Sequence, residues 1–111
     1  MLTGKTVKIR FRRNFKEQRL WVFIGRVVGF DNCWVLVEGR GIIFTVGQMD
    51  PIDVDEESRE MMIPHSNIAH IRILPDDFDI ENIECYRGKT RWYIKVDNAP
   101  DASLGEIGET A

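Results

Sequence analysis

Lys5-Thr6-Val7-Lys8-Ile9-Arg10-Phe11-Arg12 is the stretch on which the fold turns. Val7, Ile9 and Phe11 alternate with Lys8, Arg10 and Arg12, the period of two that marks a half-buried strand. Thr6, Lys8, Arg10 and Arg12 then form the outward row, and all but Thr6 are cationic. Such a row suits a phosphate track, and it is equally the pattern of an ordinary solvated face.

Outward from this strand the chain stays β-rich, and helical periodicity is nearly absent. Residues 13–18 read as a polar turn. Residues 19–28 are rich in Trp, Val, Phe and Ile and predict a second strand, with Gly25 marking a bend or bulge. Gly29-Phe30-Asp31-Asn32 is turn chemistry. Trp34-Val35-Leu36-Val37 starts a third strand, which resumes after Gly39-Arg40-Gly41 at Ile42-Ile43-Phe44-Thr45. Residues 46–60 carry six acids around Pro51 and read as a variable, exposed loop. Met61-Met62-Ile63 leads through Pro64-His65-Ser66-Asn67, a short turn, into the strand Ile68–Leu74. Residues 76–96 form an extension: a linker or capped helical turn, then two apolar segments around Arg87-Gly88-Lys89-Thr90, which resemble a hairpin. From Asp97 onward the composition predicts an acidic, disordered tail.

With 111 residues, 43% apolar and 30% charged, the chain has room for one soluble domain. Its size leaves much surface uncovered, which favours partners or oligomers. The net charge of -3 hides an asymmetry. Residues 1–48 hold nine Lys or Arg against three acids; residues 49–111 hold six against fifteen. A basic surface for a polyanion beside an acidic loop explains this, and so does mutual neutralisation within the fold or between subunits. No apolar run approaches the roughly 18–20 residues that span a bilayer, so no membrane association is expected. The N-terminal residues carry no secretory signature. Cys33 and Cys85 are too few and too far apart for a disulfide framework, which places the chain in a reducing cytoplasm.

Two segments narrow the architecture: residues 25–37, Gly-Arg-Val-Val-Gly-Phe-Asp-Asn-Cys-Trp-Val-Leu-Val, and residues 63–74, Ile-Pro-His-Ser-Asn-Ile-Ala-His-Ile-Arg-Ile-Leu. Together they resemble the two halves of the Sm motif of Sm, LSm and Hfq proteins. Residues 2–11 are similar to a first Sm strand. The resemblance implies an all-β fold, a strongly bent, five-stranded open barrel of SH3 type, over residues 1–75. It also implies a ring of six or seven copies, in which the fourth strand of one subunit pairs with the fifth of the next. The edges involved are those of Met61, Met62 and Ile63, and of Ile68, Ile71 and Ile73. Cyclic closure leaves no such edge bare.

Rings of this family bind single-stranded RNA around a central pore, stacking bases on the turn between strands two and three. Asp31 matches the motif Asp. The base-reading Asn of the family falls at Val35, and the usual stacking position is Cys33, with Trp34 beside it. Pro64-His65 replaces the Arg-Gly pair of Sm proteins, and Asn67 is kept. His65 also matches the His of the Lys-His pair of Hfq. The candidate RNA-binding residues are therefore Asp31, Trp34, His65 and Asn67, with Arg40, Lys8, Arg10 and Arg12 as phosphate contacts. Each has a plainer role open to it: Trp34 as a barrel-wall residue, Asp31, His65 and Asn67 as turn formers, the cations as solvated charge.

No CxxC or HxxxH spacing supports a zinc site, and Asp53-Val54-Asp55-Glu56-Glu57 lacks the Gly of a calcium loop. There is no nucleophile elbow and no phosphate-cradling Gly loop. Neither a cofactor nor catalysis is expected. The leading expectation is a ring that binds single-stranded RNA. The rival, prompted by the pI near 5.4 and the acidic loop and tail, is a small barrel that binds protein and ignores nucleic acid.

Overall fold

The computed structural model describes residues 2–12, 20–44, 52–89 and 91–106. The described residues form nine strands and two short 3-10 turns, with no α-helix. In chain order these are β1 (Thr6–Phe11), β2 (Leu20–Phe30), β3 (Trp34–Phe44), β4 (Ile52–Val54), β5 (Arg59–Pro64), β6 (Ile68–Leu74), β7 (Cys85–Arg87), β8 (Arg91–Ile94) and β9 (Ala102–Glu106). The 3-10 turns are His65–Asn67, joining β5 to β6, and Ile80–Asn82.

Six strands make the main sheet, in the order β4-β3-β2-β1-β6, with β5 also on β3. All its pairings are antiparallel. The long strand β3 serves two partners in succession: Trp34–Gly39 lie against β5 and Ile42–Phe44 against β4. The remaining strands form a second sheet, β7-β8-β9.

The two sheets explain why β2 reads as an almost continuous apolar run. From Val22 to Val27 its odd-numbered side chains turn to one face and Val22 and Ile24 to the other, and both are covered there, whereas Trp21, Val28 and Phe30 are exposed. Phe23 and Val27 join Val7, Ile9, Val35, Val37 and Ile63 in one core. Val22 and Ile24 join Ile42 and Leu74 in a second core, closed by Ile94, Val96, Ala102 and Leu104 of the C-terminal segment. Gly25 and Gly39 face each other across β2 and β3. A Cβ on Gly39 would lie 2.0 Å from the Ile24 carbonyl oxygen, and one on Gly25 would lie 2.4 Å from that of Glu38. The two backbones approach more closely here than any side chain permits.

Several sequence expectations need correction. The main sheet has six strands among the described residues, not five; β5 and β6 do not pair with each other there, so the sheet is open. The exposed loop expected at 46–60 contains β4 and the first residues of β5; Asp53 and Val54 alternate against Ile43 and Ile42. Residues 45–51 lie outside the described residues, as do those of the 13–18 turn. The expected tail from residue 97 is in part β9, whose Ala102 and Leu104 are fully buried. Ile94, Val96, Ala102 and Leu104 therefore share a core with Val22, Ile24, Ile42 and Leu74 of the first 75 residues. Among the described residues no helix is long and apolar enough to cross a membrane. Both cysteines are free thiols, Cys33 exposed and Cys85 half-buried.

Candidate nucleic-acid interface

Asp31 organises the turn between β2 and β3. Its Oδ1 accepts from the amides of Cys33 and Trp34, both at 2.8 Å, while its own amide donates to the Trp34 carbonyl at 3.0 Å. This is the Asx-type closure that the side chain is suited to make. The Cys33 amide, then that of Trp34, holds the carboxyl below its ordinary value. The turn leaves Asn32 and Cys33 exposed and Trp34 41% exposed.

The turn at His65–Asn67 arrives beside it. Trp34 is the register partner of Pro64, the last residue of β5. The next residue, His65, donates its amide to the Cys33 carbonyl at 2.8 Å. His65, Ser66 and Asn67 are all exposed. Asn67 accepts at its carbonyl from the amide of Arg12, at 2.7 Å, which ties the turn to the end of β1. His65 thus meets the turn that holds Asp31 and Trp34, and the same 3-10 turn carries the chain on to Asn67 and Arg12, which meet at the other end of the β1–β2 ladder, beyond the Arg10–Val22 pair. Val35, the residue at which the resemblance sets a base-reading Asn, is 2% exposed and packs in the core, so its side chain is closed to a ligand.

Two of the expected phosphate contacts lie elsewhere. Lys8 is 4% exposed, because the C-terminal sheet covers its end of the outward row; Thr6 beside it is fully buried. Its Nζ donates to the Ser103 carbonyl at 2.7 Å. Burial, and then Arg10, Arg72 and Arg91, push its pKa down to about 8. Arg40 spends its guanidinium on backbone: Nε donates to the Asp55 carbonyl at 2.7 Å, and Nη1 to those of Ile80 and Glu81 at 3.2 and 2.9 Å. It is a clasp between β3, the acidic loop and the C-terminal segment. Arg10 is half-buried opposite His70, and Arg12 is exposed. His70 is lowered by burial first, then by Lys8 and Arg10.

The second edges of β5 and β6 pair with no strand among the described residues. Beside the β5 edge lies an open groove of about 220 Å³, lined by Phe11, Trp21, Met61, Met62, Pro64 and Asn67, among others. Of the apolar residues expected at these edges, Met62 and Ile73 are 57% and 56% exposed. Ile63 faces the core opposite Val35 and is 2% exposed, so its side chain is closed to a neighbour. Met61, Ile68 and Ile71 are half-buried against the same core. Another hollow, of about 170 Å³, is ringed by Asp77, Asp79, Glu84 and Asp97 with Lys95, a lining that repels polyanions.

Among the described residues no group of three or more His, Cys, Asp or Glu is placed to hold a metal ion. Burial pushes the Cys85 thiol up to about 11, away from nucleophilic use. A feature absent from the sequence expectations is the solvent face of β7 and β8, where Tyr86 and Tyr93 stack; its signal is the interleaving of aromatic and basic residues in 85–95.

Comparison with known proteins finds no matching family model, no matching curated protein and no matching solved structure.

Proposed function

We propose that the chain is an Sm-like protein that assembles into a ring and binds single-stranded RNA without catalysing a reaction. The observation that carries this is the hydrogen bond from the His65 amide to the Cys33 carbonyl. It sets the Asp31 turn, with its exposed Trp34, against the exposed His65, joining the two stretches that resemble the Sm motif. Trp34 stacks a base, His65 and Asn67 supply polar groups, and Arg12 takes a phosphate. A turn held by Asp31 presents these groups without further ordering, which lowers the cost of binding. The unpaired edges of β5 and β6 favour the assembly, since each can be satisfied by the other on a neighbouring copy. With Val35 in the core, recognition rests on stacking and charge, so little base discrimination is expected.

The test is fluorescence anisotropy with labelled single-stranded RNA, using Trp34→Ala and His65→Ala. Loss of one stacked base weakens binding by about 1–3 kcal/mol. Added salt weakens it further, with a slope set by the phosphates neutralised. Salt-independent binding, or none to any RNA, would sink the reading.

One observation favours the protein-binding alternative: the groove beside β5, with Trp21 and Met62 more than 40% exposed at its margin. Exposed aromatic and Met side chains around a concave strip suit an apolar peptide. A protein that ignores RNA and is retained on an apolar peptide array, losing retention on Met62→Lys, would establish that alternative instead.

A further inference from the structure

Residues 85–95, Cys-Tyr-Arg-Gly-Lys-Thr-Arg-Trp-Tyr-Ile-Lys, contain four cations, three aromatics and no acid. They sit in a half of the chain where acids outnumber cations fifteen to six. The segment forms β7 and β8, with Tyr86 directly opposite Tyr93. Period two divides the side chains: Trp92 and Ile94 pack against the second core, with Arg87 opposite Trp92 on that side, and Tyr86 and Tyr93 take the opposite face. There the two rings stack, centroids 5.5 Å apart and planes 25° from parallel. The Gly88 amide donates to the Arg91 carbonyl at 2.8 Å. A Cβ on Gly88 would come within 2.6 Å of the Tyr93 ring, so the absence of a side chain at Gly88 makes room for the ring. The Tyr86 hydroxyl donates to Asp101 Oδ2, which fixes the outer ring of the stack. Tyr86 remains 41% exposed, and Arg87 and Lys89 at the hairpin end are exposed.

A cross-strand tyrosine pair alone would stabilise the hairpin. It would not call for cations concentrated around it. A fixed aromatic plane open on one side, with exposed positive charge at the adjoining hairpin end, is the pairing of parts that single-stranded nucleic acid requires: a surface for a base and charge for the adjoining phosphates. We propose that the β7–β8 hairpin is a second binding site for single-stranded RNA, in which Tyr86 stacks a base and Arg87 and Lys89 hold the flanking phosphates. It does not rest on the site at the Asp31 turn. Asp101 and the Glu84–Lys95 pair, at 3.9 Å, bound the site on its acidic side, so the strand runs toward the hairpin end.

The experiment is anisotropy of a fluorescein-labelled 12-residue oligouridylate, and of an RNA duplex of equal length, with the full chain. Tyr86→Ala is expected to weaken single-strand binding roughly five- to a hundredfold. The double variant Arg87→Gln with Lys89→Gln changes only exposed groups and keeps the fold. It is expected to lower the slope of log affinity against log salt by about 0.7 for each phosphate that is no longer neutralised. Unchanged affinity and slope in this double variant overturn the proposal, even where Trp34→Ala binds weakly and the first site stands. Weakened binding in the hairpin variants with wild-type behaviour in Trp34→Ala and His65→Ala supports it and removes the first site. Duplex binding as tight as single-strand binding overturns the stacking role, and no binding to either RNA overturns both sites.

Discussion

Lys8 in β1 and Ser103 in β9 stand 95 positions apart in sequence, yet Lys8 Nζ donates to the Ser103 carbonyl across 2.7 Å. A lysine whose sequence position suggests a solvated strand face is instead a tie between the two sheets. Arg91 reaches the same residue, its Nη1 donating to Ser103 Oγ at 3.0 Å. Lys8 thus fastens the C-terminal strand to the first strand, while the apolar core fastens it to β2, β3 and β6.

This tie gives the protein a specific pH dependence. Lys8 has an ordinary value of 10.5 and a folded value of about 8. Between those values the unfolded chain holds the proton and the folded chain releases it. Stability contributed by this group therefore rises with pH from about 8 to 10.5, and below about 8 the fold carries the full cost of a buried charge. Lys8→Met removes that cost with a side chain of similar volume. It is expected to leave stability at pH 7 unchanged or to raise it by up to roughly 2 kcal/mol. Urea unfolding of both forms at pH 7, 8 and 9 checks this: the wild type should gain stability relative to the variant as pH rises above about 8.

Arg40 makes a complementary prediction. Its guanidinium satisfies three backbone carbonyls on two different segments. Arg40→Met keeps most of the stem's packing and deletes all three bonds. A destabilisation of about 1–3 kcal/mol is expected, measured by denaturant midpoint. RNA affinity of the folded variant should match the wild type, because the charge is engaged within the fold.

The close crossing of β2 and β3 is equally testable. Gly39→Ala places a methyl group 2.0 Å from the Ile24 carbonyl oxygen. Neither backbone can give way without breaking the ladder. A cost of about 1–3 kcal/mol or more is expected by urea unfolding. Gly29→Ala meets nothing within 4 Å of the new atom and serves as the control, with little change expected.

Much of this architecture is legible in the sequence, and what is not has physical causes. The alternation in β1, the apolar run of β2 and the Asp31 turn are local signals, and local signals locate those strands and that turn. The second sheet is harder. Val7 and Ile9 declare one buried face of β1, but nothing local to Lys8 says that β9 will cover the other. β4 is hidden because Ile52 and Val54 alternate with Asp53 and Asp55, and so many acids outweigh a short period. β9 is hidden because Ala102 and Leu104 are only two apolar residues in a polar run. Their burial depends on Ile94, Val96 and Ile42 being near in space. At the candidate site, Arg40 looks like any other cation because its three acceptors are backbone atoms, invisible to composition.

The exposed residues on the open strand edges give the assembly its own test. Met62 on β5 and Ile73 on β6 are each more than half exposed, and neither is part of the two cores. Met62→Lys combined with Ile73→Lys should leave thermal stability within about 1 kcal/mol of the wild type. Charged side chains on sheet edges oppose strand addition, so the double variant is expected to sediment as a single chain.

The most direct measurement is light scattering with simultaneous absorbance at two wavelengths, on nuclease-treated protein with and without added single-stranded RNA. A ring of six or seven 12.9 kDa chains is expected, roughly 77 or 90 kDa, with RNA co-eluting in the same peak. A 12.9 kDa species with RNA eluting separately would contradict both the ring and its ligand.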